Sequence, residues 1–127
     1  MLLVKTYLDK SNIEGLGLFA GEDIPAGTII WRNHPITCQK VSPGILLGML
    51  ESLPKIVMDT VLKYSYLKNG NYFILGDNTK FINHSVIPNV TLLDENVEVA
   101  LRDIKIGEEI LENYFANYDA EDSFIGG

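Results

Sequence analysis

Between Phe81 and Asn89 the chain reads Phe-Ile-Asn-His-Ser-Val-Ile-Pro-Asn, crowding two amides, an imidazole and a hydroxyl between apolar residues. Polar groups of this kind stay at a protein surface unless something holds them inside. Asn83 and His84 are therefore candidates for fixed hydrogen bonding, either to backbone groups of a buried turn or to a ligand. Upstream, Gly15-Leu16-Gly17 places two glycines two residues apart. That spacing makes either a plain turn or bulge, or a place where the backbone comes close to a ligand. It is not the phosphate-cradling Gly-x-Gly-x-x-Gly pattern, because Ala20 occupies the third position and no strand–turn–long-helix unit follows. About 25 residues after the asparagine-histidine run stands Gly107-Glu108-Glu109-Ile110-Leu111-Glu112-Asn113-Tyr114. Tyr114 closes it, with a ring suited either to core packing or to facing a cation.

Composition removes several other chemistries. Cys38 is the single cysteine, and His34 and His84 are the two histidines, so no internal disulfide forms and a Cys/His zinc site lacks ligands. The net charge of −7 is concentrated at one end. Residues 94–127 hold ten acidic groups against Arg102 and Lys105, whereas residues 1–93 are nearly balanced. An acidic half argues against direct nucleic-acid binding, which depends on Lys and Arg at phosphates. It suits either a Lys-rich protein partner or a merely solvated surface. No apolar run approaches the ~20 residues of a membrane span, and Lys5, Asp9 and Lys10 interrupt any signal-like start. A cytoplasmic or nuclear protein is expected, with action inside a host cell as the alternative.

The elements that must position these residues are mostly short strands. Leu2 to Leu8, Gly17 to Ala20, Gly27 to Trp31 and Tyr72 to Leu75 read as strands, the last entered through a turn at Asn69-Gly70-Asn71. A helical region follows Ser42-Pro43-Gly44, with Ser52 as a candidate N-cap and Leu53, Ile56, Val57, Val61 and Tyr64 at helical spacing. Val90 to Leu93 and Val97 to Leu101 form an expected hairpin around Asp94-Glu95-Asn96, and Glu109 to Asn113 a last strand. With 127 residues, 46% of them hydrophobic, this is one mostly β domain.

Taken in order, the three motifs resemble those of the SET-domain protein lysine methyltransferases, over roughly Ile13 to Tyr118. The resemblance implies a SET fold of several small twisted sheets, a short helical insert and a C-terminal pseudoknot. It implies one domain over 1–127, with a core of about 3–118 and an acidic tail at 119–127. It further implies methyl transfer from S-adenosylmethionine to a protein lysine, without a metal and without the zinc-binding segment that follows many SET cores. Gly15, Leu16, Gly17, Asn83, His84 and Tyr114 correspond to the cofactor-binding positions. Tyr114, with Tyr72 as a second candidate hydroxyl, corresponds to the catalytic position. Glu112, Phe115, Tyr118 and Phe124 are the expected walls of a lysine channel. The implied substrate is a basic, Lys-containing segment such as a histone tail, and a second copy of the chain is one way to complete its groove.

Such an enzyme holds a cationic cofactor, aligns an amine and keeps that amine neutral. A free lysine, with pKa ~10.4, is almost wholly protonated at neutral pH, and a narrow apolar channel favours the neutral form by desolvation. The chain departs from the family at Lys80 (usually Arg), at Val86 (usually Cys) and at Glu112-Asn113-Tyr114 (usually aromatic-Asp-Tyr). Strand alternation puts Glu112 on the face of Tyr114. It then either enters the channel and attracts the incoming ammonium, or turns into solvent through a bulge. Two other readings compete with the enzyme: a catalytically silent SET fold that binds a peptide or partner, and an unrelated β-rich binding module.

Overall fold

The structure is a computed structural model, described here for residues 1–119. Phe124 and the tail beyond Asp119 lie outside the described residues. Four small sheets make up the molecule. Strands β1 (Thr6–Lys10) and β2 (Leu16–Ala20) form an antiparallel hairpin. A second sheet has the order β3-β9-β8, from β3 (Ile29–Arg32), β8 (Val90–Leu92) and β9 (Val97–Ala100). A third has the order β4-β6-β5, from β4 (Cys38–Val41), β5 (Ser65–Lys68) and β6 (Asn71–Leu75). The fourth pairs β7 (Asn83–His84) with β10 (Leu111–Glu112) in parallel, although 26 residues separate them in the chain.

Local chemistry explains the turns. Asn69 (φ 51°) and Gly70 (φ 78°) make the two-residue loop between β5 and β6, and both residue types tolerate the left-handed backbone such loops require. In the β8–β9 loop, Asn96 N–H donates to Asp94 Oδ1 at 2.7 Å, a side-chain-stabilised turn. Leu18, Ile30, Trp31, Tyr66, Phe73, Ile82, Val90, Ile104 and Ile110 fill the main core. A second cluster of Leu46, Leu50, Leu62 and Tyr72 lies under helices α1 (Pro43–Leu50) and α2 (Lys55–Lys63).

Several expected boundaries move. The first strand runs Thr6–Lys10, and within Leu2–Val4 the pairing is a single bridge from Leu2 to Trp31. The helical region is two helices broken at Pro54, which stands at the N-cap of α2. Ser52 is not that cap; its hydroxyl donates back to Met49 O at 3.1 Å. Strands β4 and β5 carry no strong alternation and went unpredicted. They form because β6 lies between them and supplies hydrogen-bonding partners on both edges.

The parallel pair β7/β10 is fastened by one buried asparagine. Asn89, 1% exposed, donates from Nδ2 to Glu109 O and accepts from Leu111 N–H at Oδ1, both at 2.8 Å. Its backbone N–H reaches Leu111 O at 3.0 Å, and its carbonyl accepts from Leu101 N–H at 2.9 Å. The segment before β10 is thus clamped beside the loop after β7, bringing the asparagine-histidine run against the C-terminal motif.

Candidate active site

Asn83 sits on β7 where the β2 segment and the C-terminal segment converge. Its Nδ2 lies within hydrogen-bonding range of three acceptors: Glu109 Oε2 at 3.0 Å, Glu14 O at 3.1 Å and Leu16 O at 3.2 Å. The amide orientation is therefore fixed, and among the described residues no donor reaches its Oδ1. Glu109 also accepts from Ser11 Oγ at 2.8 and 2.9 Å. Gly17 makes room here in a way the sequence does not show, since a Cβ at that position would stand 2.4 Å from Glu109 Oε2, the movable end of that side chain. Gly15, at φ 48°, supplies the turn out of β1 instead, and a Cβ there would meet open space. Gly17 thus makes room for the carboxylate that orients Asn83.

His84, the next residue of β7, faces the start of α3 (Tyr114–Asn117). Its Nδ1 accepts from Tyr114 N–H at 3.1 Å, so a neutral ring carries its proton on Nε2. The ring stacks at a tilt on Tyr114 and meets Phe115 edge-on, both with centroids 5.1 Å away. Asn113 caps this short helix, its Oδ1 accepting from Phe115 N–H at 3.0 Å and Ala116 N–H at 3.3 Å.

The Tyr114 hydroxyl donates to Ile82 O at 2.5 Å. Burial, reinforced by the charges of Glu112, Glu14 and Glu109, holds this phenol well above its ordinary ionisation range. Tyr114 also lines a small cavity with Tyr64, Tyr66, Ile82, Glu112 and Tyr118. The space open to water-sized molecules is about 20 Å³, room for roughly one water. An adjoining space of about 10 Å³ is bounded by Trp31, Glu98, Glu112 and Tyr118.

Glu112 does not turn into solvent; it is 4% exposed, between Asn117 and Tyr118. Asn117 Nδ2 lies 3.2 Å from Glu112 Oε2 and 3.3 Å from Glu98 Oε2, and the Tyr118 hydroxyl donates to Glu112 Oε1. Burial raises the carboxyl pKa of both acids, most strongly at Glu98, which also feels the Glu112 charge. Hydrogen bonds from Glu98, Tyr118 and Asn117 oppose the shift at Glu112.

The predicted residues therefore divide. Gly15, Leu16, Gly17, Asn83, His84 and Tyr114 come together around β7, and Glu112 and Tyr118 share the cavity with Tyr114. Phe115 is 79% exposed at the His84 edge, on the rim and outside the cavity. Tyr72 packs in the second apolar cluster with Leu46, Leu50 and Leu62 and does not line either cavity. Sequence reasoning missed Glu109, Glu98, Asn117 and Trp31. In β9 the Val97-Glu98-Val99-Ala100 alternation suggests valines inward, yet Glu98 and Ala100 are the buried pair. A register shift opposite, between Ile29 and Trp31 of β3, accompanies that choice.

A family model for the SET domain matches residues 15–115. The chain belongs to the SET-domain family. Among solved structures, a Plasmodium falciparum protein assigned as a histone methyltransferase is 28% identical, with a TM-score of 0.56, over 89% of this chain and 95% of its own. The Polycomb Repressive Complex 2 of Chaetomium thermophilum is 25% identical with a TM-score of 0.66, over 92% of this chain and 16% of that chain. A form of that complex bound to S-adenosylmethionine is 23% identical, with a TM-score of 0.67, over 91% of this chain and 16% of that one. This SET domain therefore spans about a sixth of the chain it matches in the complex. No curated protein sequence matches significantly. The mostly β architecture of small sheets expected from the motifs is the one observed. Among the described residues no cluster of His, Cys, Asp and Glu could hold a metal ion, and no helix is long and apolar enough to cross a membrane.

Proposed function

We propose that this SET domain is a protein-lysine N-methyltransferase that uses S-adenosylmethionine. The observation that carries the proposal is the parallel pairing of β7 with β10, which sets Asn83 and His84 beside Tyr114 and its cavity. The donor set fits the cofactor. Asn83 Oδ1, held outward because Nδ2 is engaged, offers an acceptor to the ammonium of an amino acid. His84, the next residue of β7, is the candidate for a heterocycle edge, and Leu16 supplies backbone at Asn83. The bound group supplies an electrophilic methyl on a sulfonium.

The chain's own residues do the rest. The Tyr114 ring and the Tyr66 and Tyr118 walls present aromatic faces that favour a methylammonium or sulfonium cation. They also exclude water, which favours the neutral amine. The Tyr114 hydroxyl, anchored on Ile82 O, fixes the wall beside which the transfer takes place, and alignment of this kind accounts for much of the acceleration. A Lys-rich protein segment is the proposed substrate, drawn by the acidic surplus of residues 94–127. A second chain copy would extend the groove.

Calorimetric titration of S-adenosylmethionine tests the reading. Saturable binding is expected, weakened about 10- to 100-fold in Asn83→Ala, the usual worth of a hydrogen bond to a charged group. Mass spectrometry of core histones incubated with enzyme and cofactor should then show methyl-lysine. A second reading, a silent SET fold, is favoured by the size of the cavity, which at about 20 Å³ is too small for a lysine side chain as it stands. Cofactor binding without transfer to any lysine protein would decide for it.

A further inference from the structure

The most unusual grouping in the molecule is the pair of carboxylates at the inner end of the tyrosine-walled cavity. Glu98 on β9 and Glu112 on β10 are 3% and 4% exposed, and both accept from the single Asn117 Nδ2. No salt bridge among the described residues involves either one. Two acids this close and this deep cannot both be ionised, so the pair holds one proton and one negative charge. Glu112 receives hydrogen bonds from Tyr118, Asn117 and the Glu98 acid. These hydrogen bonds favour the charge on Glu112 and the proton on Glu98.

A second, independent feature lies on the same cavity. Trp31 is 2% exposed and its Nε1 has no hydrogen-bond partner, and Trp31 walls the adjoining space of about 10 Å³ with both carboxylates. That volume suits one water. A water there would accept from Trp31 Nε1–H and donate to Glu98 and Glu112.

We propose that the Glu98–Glu112 pair is the proton acceptor of this active site, drawing the substrate ammonium inward and taking its proton on Glu112. The proposal rests on the methyltransferase reading above. In a dry channel an ammonium facing a carboxylate is stabilised by becoming a neutral pair. One N–H bond of the ammonium breaks, its electrons remain as the nitrogen lone pair, and the proton joins a Glu112 oxygen. The lone pair then forms the N–C bond to the methyl while the S–C electrons return to sulfur, leaving a neutral thioether and a methylammonium. The proton on Glu112 returns to solvent along the Tyr114 cavity, past Lys63 and Lys80 at its outer wall, once the product has left and before the next turnover. Around Glu112 stand Glu98 from β9, Asn117 and Tyr118 from the C-terminal turn, Tyr66 from β5 and Tyr114 from α3, with Lys63 and Lys80 at the outer wall. The three phenols all ionise above their ordinary range, chiefly through burial, and so remain donors at neutral pH.

The test follows turnover on a mixture of core histones against pH, alongside S-adenosylmethionine affinity, in the wild type and Glu112→Gln. The substitution should lower turnover at pH 7 by about 10²- to 10⁴-fold, the usual share of a positioned base. Raising the pH toward the lysine's own ionisation near 10.4 should recover it, with cofactor affinity unchanged. Turnover and a pH profile equal to the wild type would overturn the proposal. Infrared spectra give a readout independent of activity: the wild type at neutral pH should show the carbonyl stretch of a protonated carboxylic acid, lost in Glu98→Gln. A wild type without that band has no shared proton, and the proposal fails whatever the turnover. A wild type that keeps the band and binds cofactor yet methylates neither histones nor any other lysine-rich protein fails the methyltransferase reading, and the pair loses its catalytic role with it.

Discussion

Glu109 and Glu112 lie three residues apart on one extended segment, and they face opposite environments. Glu109 is half-buried at the edge of β2, where a serine hydroxyl and the Asn83 amide meet its carboxylate. Glu112 is enclosed, with a second carboxylate, an amide and a phenol as neighbours. An odd spacing along a strand sends side chains to opposite faces, so this segment presents one glutamate to Asn83 and the other to a deep pocket. The two carboxylates are held differently. At Glu109 a serine hydroxyl and an amide orient the side chain at a half-buried edge. At Glu112 burial raises the carboxyl pKa, and the second carboxylate of Glu98 shares the same enclosure.

The largest effect should come from breaking the clamp that both regions share. Asn89→Ala strands Leu111 N–H and Glu109 C=O, and two unsatisfied buried groups cost about 3 kcal/mol or more together. The denaturant midpoint should fall accordingly, and a fall under about 1 kcal/mol would show that the pairing of β7 with β10 holds without it. Next comes the pocket alone. Because Glu98 binds a proton in the folded state at pH values where an unfolded glutamate has lost it, the wild type should lose stability as pH rises above the ordinary carboxylate range. The slope reaches at most about 1.4 kcal/mol per pH unit while a full proton separates the states. Thermal melts of Glu98→Gln between pH 5 and 9 should show a flatter dependence, and an unchanged slope would remove the buried pair from the account. The smallest effect concerns the surroundings of Asn83. Gly17→Ala should push the Glu109 side chain aside and weaken S-adenosylmethionine binding several-fold. In a Glu109→Ala background the same change should do almost nothing, and that non-additivity is the signature of contact. Additive losses would mean that Gly17 serves the cofactor directly.

Much of this arrangement was legible from residue order. The asparagine-histidine run, the Gly-x-Gly turn and the Gly-Glu-Glu segment pointed to one site, because each carries polar or glycine residues where a small β domain would otherwise place packing residues. The Asn69-Gly70 turn was legible for a local reason, since its backbone conformation admits few residue types. Glu98 was not legible, because strand alternation alone favoured its valine neighbours for the interior and the inward face was set by pairing with the irregular β3. Tyr72 shows the same limit from the other side. Its position before the asparagine run suggested a catalytic hydroxyl, but its partner strands β4 and β5 carry it under the two helices.

The sequence by itself determined the family, the residues gathered around Asn83 and His84 and the excess of acid at the C-terminal end, because these depend on residue types at short, fixed spacings. The tertiary structure decided which side of each strand faces inward and which distant groups meet. Trp31, Glu98 and Glu112 share a pocket, with Asn117 bonded to both acids, only because β3, β9 and β10 are brought together by pairings that span up to tens of residues. A carboxylate's proton affinity depends on what surrounds it in space, and that is settled only when the strands have found their partners.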